Sequence, residues 1–265
     1  MPFRALTTAS LGMSAQQKSV DNIANNLSNV STTGFKKSNI AFQDLFYEDI
    51  AVSKAGASAN RISNDSPRLQ LGHGSQAVST IRNFTQGSIS ETGNPLDMAI
   101  SGDGFFRVEK PDGSIGYTRD GNFTRDSSGM LVNSSGLSLA EQIEVPMEAK
   151  AVDISQDGTV TALMGGNNRE IELGQIELAR FSNPAGLKAE GGNLFSETQA
   201  SGMPFVDHPG SEGFGNVRQG YLEGSNVDVV TEMVQLIEAQ RAYETNSKMV
   251  QSAEDMMSVT NSIKR

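Results

Sequence analysis

The chain has 265 residues and carries 31 Asp and Glu against 21 Lys and Arg, a formal net charge of -10. Holding a nucleic acid backbone needs clustered cations. Lys36-Lys37 is the nearest approach to a cluster, so no nucleic acid partner is expected. There is no cysteine, which excludes disulfides, thiolate metal sites and Cys nucleophiles.

The length permits a sizeable core and more than one domain. The start Met1-Pro2-Phe3-Arg4 lacks the apolar run, roughly 7–15 residues, of a secretory leader. No window approaches the roughly 18 apolar residues of a membrane span. Work outside the cytoplasm would therefore require export without a cleaved signal.

Residues 3–30 read as a long amphipathic helix. Leu6, Met13, Val20 and Leu27 recur every seventh residue, and Ala9, Gln16, Ile23 and Val30 stand three further on. This is a heptad seam weakened by one Gln. Asn22, Asn25, Asn26 and Asn29 are poor helix formers, so the end of the helix is expected to be marginal alone. Gly34 can take the positive φ of a helix stop or turn.

Residues 38–75 change character. Asn39–Tyr47 alternates weakly, and Ser53–Ser66 is rich in Ser, Ala and Asn with no core pattern. The segment reads as a long loop or an extended hairpin. From residue 76 to about 220 the pattern becomes short strands and tight turns. Candidate strands are Gln76–Phe84, Leu96–Ile100, Gly104–Glu109, Gly116–Thr118, Asn122–Arg125, Met130–Val132, Ala151–Ile154, Val160–Leu163, Arg169–Leu173 and Gln175–Phe181. Pro111–Ser114, Gln156–Gly158 and Met164–Asn168 punctuate them. The spacing predicts an irregular all-β domain.

Residues 228–261 read as a second long helix. Leu236, Ala239, Tyr243, Asn246, Val250, Ala253, Met257 and Thr260 alternate spacings of three and four. Asn226 or Asp228 is a candidate N-cap, and Glu232 suits the first turns. Val229, Val230, Met233, Val234 and Ile237 widen the apolar face near the start. Two apolar faces on one helix predict more than one neighbour: an intramolecular clasp with the first helix, or a clasp that also packs between subunits. Helices without partners are marginal in water, so both ends are expected to be disordered in the free monomer and ordered by contact.

The search for chemistry is negative. Ser101-Gly102-Asp103-Gly104-Phe105-Phe106 lacks the Lys-Ser/Thr of a phosphate loop. Its glycines are expected to turn the chain before a buried aromatic pair. Arg119 and Asp120 are expected to anchor a turn. His73 and His208, the two histidines, lack companions at metal-ligand spacing. No catalytic residue, metal ligand or cofactor is expected.

Three ordered segments carry a resemblance. Asn22–Lys36 resembles the N-terminal signature of the bacterial flagellar rod and hook protein family. Ile100–Phe106 and Tyr117–Gly121 resemble its shared β-domain motifs. Glu223–Asp228, followed by Glu238–Lys248, resembles its C-terminal signature. The likeness covers nearly the whole chain, and its length and 38–75 segment resemble the distal rod member of the family.

That resemblance implies an α+β axial-filament subunit, with paired coiled-coil-like terminal helices and an irregular all-β domain. Residues 1–36 would pack with 222–265 as the core of a helical tube. Residues 37–75 would form an extended hairpin along neighbouring subunits, and 76–221 the outer β-domain. The implied role is a drive shaft that transmits torque from motor to hook and carries an export channel; a proximal rod or other axial role is the alternative. Implied partners are further copies of the chain, proximal rod proteins, the hook protein, the peptidoglycan-layer and outer-membrane ring proteins, and the flagellar type III export apparatus. The implied location is the basal body, in a rod spanning the periplasm. The expected assembly surface is Leu6, Met13, Val20, Ile23, Leu27 and Val30 with Val230, Val234, Leu236, Ile237, Tyr243, Val250 and Met257. Expected motif turns carry Gly34, Phe35, Gly102, Gly104, Phe105, Phe106, Asp120, Gly121, Gly224 and Asn226.

Overall fold

Two α-helices are found among the described residues, α1 (Pro2–Ser28) and α2 (Val229–Ile263), one near each end of the chain. At about 1.5 Å per residue they run roughly 40 and 50 Å. The computed structural model describes residues 2–51, 68–165 and 169–263. The loop reading of Ser53–Ser66 lies outside the described residues, as does the turn tip at 166–168. A large irregular β-domain occupies most of the sequence between the helices.

The chain divides into two compact units. The first comprises Met1–Asn25, Ser38–Ile81 and Val229–Arg265; the second comprises Asn26–Lys37 and Arg82–Asp228.

In the first unit, Tyr47–Ala51 pairs antiparallel with Arg68–Gly72, in a register that sets Tyr47 opposite Gly72 and Ala51 opposite Arg68. Ser38–Asp44 pairs with Ser75–Arg82. Asn22 looks misplaced in a helix by propensity alone, but its side chain explains it. Its Nδ2 donates to the Ser38 carbonyl at 2.6 Å, and Ser38 Oγ donates to its Oδ1 at 2.6 Å. A mid-helix amide thus fixes the start of the first strand. Two-stranded ribbons are marginal alone, and in and between these two Phe46, Tyr47 and Val78 are exposed at 90%, 58% and 59%.

The second unit is built on a six-stranded antiparallel sheet. Across it lie Lys188–Gly191, Leu194–Ser196, Ile115–Thr118, Phe105–Glu109, Leu178–Arg180 and Phe205–Asp207. Successive strand residues point to opposite faces, and both Phe105 and Phe106 are buried. The sheet is therefore packed on both sides. Phe106, Val108 and Leu178 enter the larger core with Met98, Phe123 and Val217. Phe105, Tyr117 and Ala179 enter a smaller aromatic core with Phe181 and Phe195. Its rings meet edge to face, Tyr117 against Phe181 at 4.8 Å and Phe84 against Phe195 at 5.2 Å. Each fully buried side chain of this size stabilises the fold by about 1.5–3 kcal/mol.

A three-stranded antiparallel meander, Ala149–Ile154, Thr159–Met164 and Glu170–Gln175, adds to the larger core. The expected single strand Gln175–Phe181 is two strands: Gln175 ends the meander, and Leu178–Arg180 enters the six-stranded sheet. Two pairings close the unit over long sequence separations. Asn216–Gln219 pairs with Met98–Ser101, and Tyr221–Glu223 pairs with Ile89–Glu91. These bring the chain just before α2 back to the start of the β-domain.

Candidate assembly site

In the second unit the three sequence signatures meet at one buried point. Lys36, Arg119 and Glu223 are 0%, 3% and 1% exposed. Lys36 Nζ donates to Glu223 Oε1 at 2.6 Å and to the Thr85 carbonyl at 2.9 Å. Arg119 donates to Glu223 Oε2 at 3.3 Å and to the Gly102 carbonyl at 2.9 Å. The Gly87 N–H also donates to Glu223 Oε1, at 2.9 Å. The Arg119 guanidinium lies over the Phe105 ring, 5.3 Å from its centre. Burial pushes both Lys36 and Arg119 below their ordinary values, and the Glu223 carboxylate opposes that shift. One anion thus bridges two buried cations, an arrangement whose charges depend on one another.

The surrounding backbone shows how the sequence builds this junction. Gly34 has φ +67°, and its N–H donates to the Glu223 carbonyl at 2.8 Å. A Cβ at Gly34 would lie 2.6 Å from the Asp120 nitrogen, so both the conformation and the close approach require glycine there. Thr33 Oγ1 donates to Asp120 Oδ1 at 2.9 Å, and the Asn122 N–H donates to the same oxygen at 3.1 Å. Asp120 therefore does organise a turn, while burial raises its carboxyl. Arg119 does not: its guanidinium serves the junction. Gly121 and Phe35 are buried beside these residues in sequence, with Gly224 half-buried.

The capping expectation is corrected in part. Asn226 Oδ1 accepts from the Lys37 N–H at 2.7 Å, and its Nδ2 donates to the Asn83 carbonyl at 2.8 Å. Its amide is spent tying two chain segments together, and Asp228 is the residue immediately before α2. Gly102 and Gly104 adopt φ of +115° and +143° ahead of the buried Phe105 and Phe106.

In the first unit the helices approach closely where Gly12 faces Asn246: a Cβ on Gly12 would lie 2.9 Å from the Asn246 side-chain nitrogen. On α1, Ile23 is buried and Leu6, Met13 and Val20 are half-buried. Leu27 and Val30, half-buried, belong to the second unit. On α2, Ala239 and Ala253 are buried, and Leu236, Val250 and Met257 are half-buried on the same stripe. Tyr243, placed on that stripe by spacing, is 43% exposed. The other expected face stands in the open: Val230, Val234 and Ile237 are 71%, 50% and 48% exposed.

Sequence reasoning missed Lys36, Arg119 and Glu223 as a set. The one available signal was that Lys36 is the only charged residue of the first signature, while Arg119 and Glu223 stand among other charged residues in theirs. Among the described residues, no group of three or more His, Cys, Asp or Glu is placed to hold a metal ion. His73 Nδ1 lies 3.0 Å from the Phe46 carbonyl, and His208 is exposed.

Comparison with known proteins agrees with these three regions. Residues 6–36 match the flagella basal body rod protein family, 99–162 the flagellar hook protein FlgE/F/G D1 domain, and 218–263 the flagellar basal body rod FlgEFG protein C-terminal region. A relative from Borreliella burgdorferi, named flagellar basal-body rod protein FlgG, is 48% identical over 99% of both chains. Relatives of the same name from Caulobacter vibrioides and Bacillus subtilis are 42% and 36% identical over 99% of this chain and 100% of theirs. The chain belongs to the flagellar basal-body rod protein family, a family of structural, non-catalytic proteins of the bacterial flagellum.

Proposed function

We propose that the chain is the subunit of the distal rod, a helical tube that transmits torque from motor to hook and encloses the export channel. The observation that carries this reading is the apolar face of α2, exposed at Val230, Val234 and Ile237. A free subunit gains nothing by holding such a stripe in water, whereas burial against a neighbour stabilises by about 25 cal/mol per Å2 of apolar surface.

On this reading residues 1–36 and 222–265 form the packed inner core in a coiled-coil-like pairing. The 37–75 segment runs along neighbouring subunits, where its exposed Phe46 and Tyr47 are covered, and 76–221 forms the outer layer. The junction at Lys36, Arg119 and Glu223 anchors the segments that follow α1 and precede α2 to the β-domain. Proximal rod proteins, the hook protein and the surrounding ring proteins are the neighbours, and the flagellar type III apparatus exports the subunit. The shaft then lies in the basal body, crossing the periplasm.

Cryo-electron microscopy of purified basal bodies, with this subunit's density traced, tests the assignment. Density in the thick outer segment of the shaft, termini lining the bore, is the expected result. Density only beside the membrane ring would make it a proximal rod subunit, and absence from the shaft would overturn both.

A further inference from the structure

We infer that the groove in the first unit is a seat for a second copy of this chain, and that the face seated there is the apolar stripe at the start of α2. This rests on the assembly reading above and adds which surface meets which. The groove has a volume of about 890 Å3. Its walls come from the first half of α1, the later half of α2 and the residues Leu71, Gly72, Gly74 and Ser75. Small residues line part of it, Ala9 and Gly12 from α1 and Ser252 and Ala253 from α2, together with the charged Arg4 and Lys248. Met249 and Met256, 52% and 59% exposed, stand along it, and methionine adapts readily to an incoming shape.

The stripe is the complementary shape. Val230, Met233, Val234 and Ile237 follow the i, i+3, i+4, i+7 spacing of one helical face and are 48–71% exposed. Bulky side chains on a helix pack into hollows left by small ones, and Ala9, Gly12 and Ala253 in the groove lining offer such hollows. A chain cannot seat its own stripe in its own groove. Val234 and Ser252 lie on the same helix, 18 residues or roughly 27 Å apart.

A second copy accounts for both surfaces at once, whereas an unrelated partner would account for only one. Stripe against groove is a contact between unlike surfaces. It leaves one uncovered stripe and one unfilled groove at the ends of any string of copies, so growth continues rather than closing as a dimer.

The absence of native cysteine makes a direct test possible. Val234→Cys and Ser252→Cys are made separately, both at exposed positions, and each protein is checked for native helix content. Their mixture is oxidised at a concentration where wild type assembles by light scattering. The mixture should give a linked band at twice the monomer mass, at least ten-fold stronger than either variant alone. The double variant should give a ladder, since the intramolecular distance far exceeds the roughly 7 Å limit for a disulfide. Strong self-linking of V234C alone would show a stripe-to-stripe contact and overturn the inference. Assembly without the mixed link would overturn the seat while leaving the assembly reading intact. A wild-type chain that stays monomeric at every concentration would overturn both.

Discussion

In the second unit, Phe106, Phe123, Met98, Leu178 and Val217 are 0% exposed. On α2 in the first unit, Val230, Met233, Val234 and Ile237 stand 48–71% exposed to water. The same kinds of side chain thus meet opposite fates in one chain. The β-rich unit closes on itself through pairings such as Asn216–Gln219 with Met98–Ser101. The helical unit buries one stripe of each helix and leaves a second stripe of α2 exposed. Stability of the first kind belongs to a single molecule; under the proposed assembly, stability of the second kind depends on how many copies surround it.

The sharpest way to break the closed unit is through its charges. Glu223→Ala leaves Lys36 and Arg119 buried without their anion, and a loss of about 3–5 kcal/mol is expected by urea denaturation. Replacing Lys36, Arg119 and Glu223 together by Met, Met and Leu should recover more than half of that loss. A single substitution as mild as a surface change would mean that the triad does not hold the junction.

A pH series probes the same unit at a different place. Burial raises the Glu141 carboxyl to about 7 from an ordinary 4.5, with Arg107 opposing the shift at 3.5 Å. Glu141 therefore holds its proton more tightly when folded. The stability this confers is complete below about pH 4.5 and is lost as pH rises through 7. Glu141→Gln removes the titration. Each tenfold gain in proton affinity on folding is worth about 1.36 kcal/mol, so the stability of wild type relative to this variant should fall by up to about 3 kcal/mol between pH 4 and pH 8. A constant difference across that range would place the carboxyl in a wetter site.

The smallest expected effect on the single molecule belongs to the open unit. Ile237→Ala should change monomer stability by no more than about 0.5 kcal/mol, because the side chain is 48% exposed. Assembly followed by light scattering should nevertheless be strongly reduced. A large loss of monomer stability would show that Ile237 belongs to an internal core.

The helices were legible because their apolar residues repeat with a helical period over many turns, as at Leu236, Ala239, Val250 and Met257. Strands such as Phe105–Glu109 and Thr159–Met164 were legible from short runs between turn residues. The closing strands Asn216–Gln219 and Tyr221–Glu223 were not, since three or four residues carry no period and their partners lie far back in the chain. The junction was hidden for the same reason. Lys36 and Glu223 are separated by 187 residues, and Lys36 beside Lys37 looks like an ordinary surface pair. Tyr243 fitted the covered stripe by spacing yet is exposed, because position along a helix does not say how far a neighbour extends.

Hydrogen exchange on the free and the assembled chain tests the contrast between the units most directly. In the free chain, amides of Phe105–Glu109 and Leu178–Arg180 should exchange slowly, at rates set by global unfolding, while those of α1 and α2 exchange far faster. On assembly the helices should gain protection of at least a hundred-fold and the sheet little. Helices protected as strongly as the sheet in the free monomer would contradict the account.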